Sequence, residues 1–316
     1  MRPETTISRL DDAARAGWLY YVAGNNQEEI ARKLGVSRQT AQRLVSMAIT
    51  EGLVKVRLDH PIARCLELAE AVRQKFSLDL CDVVPTDPDA TSATVGIAQS
   101  AAAEIERRLK VPEPQVMALG TGRTLKAAIE QLTPMECPDH KIVSLTGSIA
   151  PDGSAAFYNV IFNIAEMVKA RSFPMPLPVI ASSAEERDML HRQPMIRHTL
   201  DLAARANVSF VGIGDLGPDA PLFVDGFISE ADLKALGRAG AVGEIVGWVF
   251  DAEGRLIEGL TNERVASAPL PSRETSLVIA IAKGDRKLAG IRGALRRRLV
   301  NGLITDEMTA GQLLGS

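Results

Sequence analysis

The chain has 316 residues, of which 46% are hydrophobic and 24% are charged, and its formal net charge is −3. This length predicts two domains, and the slightly acidic balance argues against nucleic-acid binding by the whole surface. No run approaches the roughly 20 apolar residues that cross a bilayer, and the polar N-terminus lacks the apolar stretch of a secretion signal. The cysteines and histidines show no metal-ligand spacing. We therefore expect a cytoplasmic protein with no membrane contact, no disulfide framework, no metal site and no cofactor.

Three helices are predicted before residue 51, over 10–22, 27–34 and 38–50. Gly24 ends the first helix, Gly35 allows a tight turn after the second, and Ser37 is a good N-cap for the third. Ala41 and Leu44 share the inward face of the third helix. Short helices joined in this register are typical of a helix-turn-helix, which places its last helix in the major groove of DNA.

The outward face of the third helix carries polar side chains that are long enough to reach bases or phosphates, namely Arg38, Gln39, Thr40, Gln42 and Arg43. After this helix, alternating apolar and cationic residues over 53–58 predict a half-exposed strand with Lys55 and Arg57 on it. Residues 30–58 contain six cationic residues and one acidic residue, which gives this segment a net charge of +5. We therefore predict that residues 1–60 form an N-terminal all-α winged helix-turn-helix domain that binds double-stranded DNA.

Within this domain, residue type suggests the role of each side chain. We expect Gln39, Thr40 and Arg43 at or near base edges, and Arg38, Lys55 and Arg57 at phosphates. The alternative interpretation is a generic three-helix bundle whose cationic face is simply solvated.

Residues 61–316 are predicted to form a C-terminal α/β domain with a mainly parallel sheet, because apolar runs alternate with helical stretches after a first helix at 63–76. The predicted strands are 80–84, 116–119, 142–145, 177–181, 208–213, 245–250, 276–282 and 303–304. The predicted helices between them include 93–109, 124–132, 159–171, 195–206, 229–239 and 287–300.

Ligands bind such sheets outside the carboxyl ends of the strands, so the loops after the strands are candidate sites. In one of them the glycines let an anion approach the backbone, and the hydroxyl and cationic side chains add donors: Gly120, Thr121, Gly122, Arg123 and Thr124. Three other loops contribute Thr146, Gly147 and Ser148, then Asp215, then Lys287. Together they indicate a phosphorylated or polyhydroxylated ligand. For any single loop, an ordinary tight turn is an equally good interpretation.

Two further features have open interpretations. Glu244 lies at a glycine-rich turn, where its carboxylate either holds sugar hydroxyls or serves as a structural cap. His191 either touches a ligand or is an ordinary surface residue, and we favour the latter. Lys283 or Lys287 would suit a Schiff base with an open-chain sugar, which is the basis of an enzymatic alternative.

Several segments resemble the SorC family of bacterial sugar-responsive transcription regulators, namely QEEIARKLGVSRQTAQRLV, GTGRT, LTGS, ISEADLKALGRAGAVGEIVGWVFDAEG and AIAKGDRKLAGIRGALR with LITDEMTAGQLL. The resemblance implies a winged-type helix-turn-helix joined to an effector domain. That domain is similar in fold to ribose-5-phosphate isomerase and glucosamine-6-phosphate deaminase. Family members are typically tetrameric, and their effectors are sugars, polyols or phosphosugars.

The resemblance also implies roles for the loop residues. Gly120, Gly122, Arg123, Thr124 and Lys287 would surround the anionic or hydroxyl end of the effector, and Thr146, Gly147 and Ser148 would line the same pocket. The sequence departs from the family pattern at Glu244, where an Asp is frequent, and at Thr121, where an aromatic residue is frequent.

We therefore predict a DNA-binding transcriptional regulator of a carbohydrate or polyol catabolic operon, and not an enzyme. Its expected partners are operator DNA, a sugar, polyol or sugar-phosphate effector, and further copies of itself in a homo-oligomer, most simply a tetramer. The first alternative is a sugar-phosphate isomerase or deaminase. The second is a metabolite sensor that acts through protein partners, which the local excess of cations disfavours.

Overall fold

The computed structural model describes residues 4–56, 62–87, 89, 94–150, 152–154 and 160–315, so Arg57 lies outside the described residues. The contacts of the chain form two units, Met1–His60 and Pro61–Ser316, and each is described here by itself. Among the described residues, no helix combines the length and the apolar character that crossing a membrane requires.

The first unit consists of α1 (Glu4–Tyr21), α2 (Gln27–Leu34) and α3 (Arg38–Thr50). Asn26 begins α2 with a capping box shared with Glu29, and Ser37 begins α3 by accepting a hydrogen bond from the amide of Thr40. Because most of the packed side chains are small, the three helices approach closely. Their common core comprises Ala13, Ala16, Leu19, Ile30, Ala31, Ala41, Leu44 and Val45.

Two predictions for this unit are wrong in detail. The first helix begins at Glu4 and not at Leu10. The strand predicted over 53–58 is missing from its described part, 53–56. The amides of Leu53 and Val54 both donate to the carbonyl of Ala48, so the chain folds back onto the end of α3 instead of extending. The rest of that predicted strand lies outside the described residues.

The second unit alternates helices and strands. Its helices are α4 (Ala63–Phe76), α5 (Val95–Leu109), α6 (Arg123–Glu130), α7 (Ile161–Val168), α8 (Ala184–His191), α9 (Pro194–Ala204), α10 (Pro221–Val224), α11 (Glu230–Arg238), α12 (Leu288–Arg296) and α13 (Glu307–Leu314). Its strands are β1 (Leu80–Val84), β2 (Val116–Leu119), β3 (Lys141–Ser144), β4 (Arg171–Phe173), β5 (Val208–Gly212), β6 (Ala241–Ile245), β7 (Trp248–Asp251), β8 (Leu277–Ile281) and β9 (Gly302–Asp306). Short 3-10 helices span Leu260–Arg264 and Asp285–Lys287.

Seven strands form one parallel sheet in the order β1-β9-β8-β5-β2-β3-β4. Alternate strand residues enter different hydrophobic layers, as Ala118 does on one face and Met117 and Leu119 do on the other. Residues of α4, α9, α12 and α13 share the first layer, and residues of α5, α6 and α7 share the second. The predicted α/β architecture with a parallel sheet is therefore confirmed.

Three predicted elements of this unit are wrong. Residues 177–181 make only isolated bridges, because Pro178 has no amide for a ladder, and the edge strand is β4 instead. Residues 245–250 do not form one strand, since the chain reverses at Val246 and Gly247, which have φ of 48° and 91°. The resulting antiparallel hairpin joins β6 to β7. The helix predicted over 159–171 is shorter, because α7 ends at Val168 and Arg171 begins β4.

Candidate functional site

A cavity of about 1080 Å³ opens at the carboxyl ends of the central strands of the sheet. β2 and β5 are neighbours there, but the chain continues from β2 to β3 and β4 on one side and from β5 to β8 and β9 on the other. Such a reversal leaves a crevice between the loops that follow the two strands, and ligands of open α/β sheets bind in it. The cavity therefore lies where this architecture places a ligand.

The loop after β2 presents the start of α6 to the cavity, which Thr121, Gly122, Arg123 and Thr124 line. Gly122 has φ of 125°, a conformation that favours glycine, and a Cβ built on it would meet no atom within 4 Å. The first amides of a helix have no partner inside the helix, and the positive end of the helix dipole lies there. The loop is therefore suited to an anion or to hydroxyl oxygens.

Gly120 and Ser148, which the sequence analysis placed in the site, are not among the described residues that line the cavity. The amide of Gly120 donates to the carbonyl of Phe210 at 2.8 Å, which joins the end of β2 to β5. The hydroxyl of Ser148 donates to the carbonyl of Met175, also at 2.8 Å. Both residues therefore hold the loops in place.

Thr146 and Gly147 do line the cavity. A Cβ on Gly147 would collide with the carbonyls of Leu177 and Pro178, so only glycine lets these segments approach. The Thr146 side chain is 3% exposed, and its hydroxyl has no hydrogen-bond partner among the described residues. Since a buried hydroxyl without a partner is costly, this group is suited to bond a ligand or a bound water.

Four cations among the described residues line the cavity, and two of them, Arg123 and Lys287, take part in no ion pair between described residues. Burial lowers the pKa of Lys287 below its ordinary value, and the charges of Arg123 and Arg286 lower it further. The carboxylates of Glu244 and Asp215 oppose this shift. Lys287 is therefore a partly buried donor within reach of a ligand.

Glu244 lies beside this lysine on β6 and is pinned to the loop after β5. Its backbone exchanges two hydrogen bonds of 3.0 Å with Gly214, and its Oε2 accepts a hydrogen bond of 2.8 Å from the amide of Gly247. Burial raises the pKa of the Glu244 carboxyl, while the Gly247 amide and Lys287 lower it. Both interpretations of the sequence thus have support, because the carboxylate caps the turn at Gly247 and also lines the cavity.

Asp215 lines the cavity and is held by Arg286, which the sequence analysis did not single out. The Nε and Nη2 atoms of Arg286 donate to the same oxygen of Asp215, at 3.2 and 2.8 Å. The Nη1 atom of Arg286 donates to Asp219 at 3.2 Å. One arginine thereby ties the loop after β8 to the loop after β5.

Lys283, four residues before Lys287, has a different environment. Its Nζ lies 3.0 Å from Oδ2 of Asp306, and these side chains are 10% and 0% exposed. Asp306 also begins α13 by accepting from the amide of Thr309. Lys283 is therefore committed to a buried ion pair, which disfavours it as the Schiff-base lysine of the enzymatic alternative.

The first unit presents the predicted DNA-contacting side chains on one exposed helix. Arg38, Gln39, Thr40, Gln42 and Arg43 are all exposed on α3, and Lys55 is exposed beyond it. Arg38 lies 3.5 Å from Glu28 in an ion pair of two exposed side chains. The hydroxyl of Thr40 lies 2.9 Å from that of its N-cap, Ser37. Arg57, the remaining predicted contact, lies outside the described residues.

Comparison with known proteins agrees with this arrangement of units. A family model described as "Putative sugar-binding domain" matches residues 60–315. The erythritol catabolism regulatory protein EryD of Brucella abortus is 32% identical, and the alignment covers 96% of each chain. The deoxyribonucleoside regulator of Bacillus subtilis is 29% identical, again over 96% of each chain.

The chain belongs to the SorC family of sugar-binding transcriptional regulators. The crystal structure of the full-length sorbitol operon regulator SorC from Klebsiella pneumoniae superposes with a TM-score of 0.71 at 24% identity, covering 96% of this chain and 99% of that one. A domain of a possible sugar-binding transcriptional regulator from Arthrobacter aurescens TC1 has a TM-score of 0.70 at 26% identity, covering 81% and 100%.

The sequence analysis of this regulator missed the apolar wall of its cavity, which comprises Val179, Leu222, Val224, Phe227 and Val246. Three of these residues belong to α10 and the turn after it, between β5 and α11. This segment follows a strand at the ligand-binding edge of the sheet, and that position was a usable signal. Val246 was harder to find, because it enters the cavity only through the unpredicted reversal between β6 and β7.

Proposed function

We propose that this regulator binds operator DNA through its first unit and that a sugar, polyol or sugar phosphate in the cavity controls that binding. The observation that carries the proposal is the cavity at the strand-order reversal, which is lined both by donors and carboxylates and by apolar side chains. Sugars and polyols offer both hydroxyls and C–H faces, so their chemistry is complementary to this lining.

The DNA-binding half of the proposal is a helix-turn-helix made of α2 and α3. Ser37 fixes the start of α3, and Ala41 and Leu44 bury its inner face. Gln39 and Arg43 then lie on the exposed side, where a recognition helix contacts base edges. Thr40 and Gln42 would support these contacts, and Arg38, Lys55 and Arg57 would neutralise phosphates.

In the effector half, the start of α6, Arg123 and Lys287 would hold an anionic or hydroxyl end of the ligand. Glu244 and Asp215 would accept hydrogen bonds from hydroxyl groups, and Thr146 would bond a hydroxyl deeper in the cavity. The names of two relatives, which refer to erythritol catabolism and to deoxyribonucleosides, support effectors of this chemical class.

We further propose that the chain has no catalytic role and acts as a homo-oligomer, most simply a tetramer. Paired recognition helices would then contact successive major grooves. An effector that favours one arrangement of subunits would change operator affinity, and DNA would change effector affinity by the same factor. The names of the relatives support regulation over catalysis, and the buried pair of Lys283 with Asp306 removes one of the two lysines that an enzyme would use.

The test is a thermal-shift screen of the full chain with sugars, polyols and their phosphates, followed by anisotropy with labelled DNA from upstream of its own operon. A ligand that binds only the folded protein raises the melting temperature. We expect at least one ligand to raise it and also to alter DNA affinity. DNA binding should weaken steeply with salt, because phosphate contacts release counterions. Affinity that is independent of salt would contradict the proposed DNA contacts.

A further inference from the structure

Lys287 lines the cavity together with two carboxylates, and each carboxylate is held by another group. Glu244 accepts from the amide of Gly247 at 2.8 Å, and Asp215 accepts two hydrogen bonds from Arg286. Both carboxylates act electrostatically on Lys287, yet Lys287 forms no ion pair with any described residue. The lysine is thus close to two possible partners without being neutralised by contact with either.

The contact between Arg286 and Asp215 is unequally exposed. The Asp215 side chain is 12% exposed, whereas that of Arg286 is 58% exposed. Both donors of the guanidinium converge on one oxygen, Oδ2, so the arginine anchors that oxygen with two charge-assisted hydrogen bonds. The largely exposed arginine therefore holds an acid that lines the cavity.

The availability of Lys287 also depends on Arg286. Arg286 and Asp215 both line the cavity, and the charges of both act on Lys287. Without Arg286, Asp215 would be free to turn toward Lys287. An oxyanion entering the cavity would then compete with a carboxylate for the same ammonium group.

We propose that Arg286 is a positioning residue that, by binding Asp215, keeps Lys287 available to an oxyanion such as the phosphate of a sugar phosphate. The proposal rests on the proposed function, since it concerns the ligand of that cavity, and it assigns the preference for an anionic effector to the contact between Arg286 and Asp215. The unpaired lysine favours an anion over a neutral polyol.

The test measures binding of inorganic phosphate to the full-length protein by calorimetry, in the wild type, four variants and two control variants. Arg286→Gln should weaken phosphate binding about tenfold, which is about 1.4 kcal/mol, because Asp215 then competes for Lys287. Arg286→Lys retains the charge without the two-donor geometry and should lose less. In the Asp215→Asn background, Arg286→Gln should change phosphate affinity less than about twofold, since the competing carboxylate is gone.

Arg73→Gln is the matched control, because Arg73 also uses Nε and Nη2 on one carboxylate, that of Glu70, away from the cavity. It should leave phosphate affinity unchanged, and melting temperatures should show that all variants are folded. Asp219→Asn removes only the second contact of Arg286 and should also have little effect.

Equal phosphate affinity in the wild type and Arg286→Gln would overturn the proposal. So would an equal loss with and without Asp215, or a loss in Asp219→Asn as large as that in Arg286→Gln. A wild-type protein that binds no phosphate would also overturn it. That last result would leave the proposed function standing if a neutral polyol still altered operator affinity, so the two failures are distinguishable.

Discussion

The two units of this regulator place the charged side chains of their proposed binding surfaces in opposite surroundings. On α3, Gln39 and Arg43 are exposed, and the pair of Arg38 with Glu28 is open to solvent. In the second unit, Lys283 and Asp306 form a buried pair and Lys287 faces a cavity. Solvent screens exposed charges, so each contributes little alone and the affinity for a polyanion such as DNA depends on how many of them contact it. Buried charges act through individual positions, as recognition of one small molecule requires.

The largest effect is expected at the buried pair of Lys283 and Asp306. Lys283→Met leaves Asp306 buried without its counterion, and we expect the second unit to lose about 3–5 kcal/mol of unfolding free energy. The matched control is Lys234→Met, whose partner Glu230 forms an exposed pair on α11 and whose loss should cost at most about 1 kcal/mol. Urea unfolding measures both values. Equal losses would show that burial does not distinguish the two pairs.

The same pair should give acid sensitivity. Burial raises the pKa of Asp306, but hydrogen bonds from Thr309 and the charge of Lys283 outweigh it, so the pKa lies below the ordinary 3.8. A carboxyl whose pKa is lowered by folding stabilises the protein above its unfolded pKa, and this contribution is lost as pH falls through the folded pKa. Wild-type unfolding free energy should therefore fall below about pH 4 more than that of Lys283→Met. Parallel pH curves would contradict this assignment.

The next effect concerns the start of α6, the proposed anion-binding site. Gly122→Ala forces a side chain into φ of 125°, which strains the loop, and we expect phosphate affinity to fall at least about tenfold. Gly237→Ala in α11 is the control, since that glycine has an ordinary φ and open space around it. Calorimetry and melting curves separate lost binding from unfolding. Unchanged phosphate affinity in a folded Gly122→Ala protein would remove this loop from the site.

A substitution on the exposed face of α3 should affect only DNA binding. Arg43→Ala should weaken operator binding by about 1–3 kcal/mol and leave phosphate affinity intact. Arg197→Ala removes the same charge from an exposed position on α9 and should leave operator affinity nearly unchanged. Fluorescence anisotropy at fixed salt measures both. If Arg43→Ala impaired both kinds of binding, the separation of roles between the units would be wrong.

The smallest effect is a pH dependence of anion binding. Burial lowers the pKa of Lys287 below 10.5, and an anion needs the protonated lysine, so sulfate affinity should fall as pH rises through that lowered value. Sulfate is the probe because it does not itself titrate in this range. Lys287→Arg should remove this decline, since arginine stays protonated. A decline of the same size in Lys287→Arg would assign the titration to another group.

Much of the fold was predictable because buried apolar residues recur at the regular spacing of a helix or strand along the sequence. The inward spacing of Ala41 and Leu44, the cap at Ser37 and the apolar parallel strands all follow from local periodicity. The loop from Thr121 to Thr124 was found for the same reason, since it follows a strand and begins a helix. These features need no knowledge of distant contacts.

The remainder depends on contacts between distant segments. Gly120 and Ser148 have the residue types of a binding loop, but they do not line the cavity. Gly120 donates to the backbone carbonyl of Phe210 in β5, and Ser148 donates to that of Met175. In the sequence, Arg286 does not differ in an obvious way from the neighbouring cations Lys283 and Lys287. Its role became visible only through its contact with Asp215, which is 71 residues away in sequence. The apolar wall likewise depends on how α10 and the β6–β7 turn fold over the sheet. Local patterns do not determine such pairings.

In the mechanism proposed for this regulator, the occupant of the cavity controls binding of DNA by the first unit. The most direct measurement is an anisotropy titration of labelled upstream DNA with the full chain, repeated with a saturating effector from the thermal-shift screen, in the wild type and in Gly122→Ala. We expect the effector to change wild-type DNA affinity by about 5- to 150-fold, and we expect Gly122→Ala to bind DNA without responding. If every compound that stabilises the wild-type protein left its DNA affinity unchanged, the cavity would not control DNA binding.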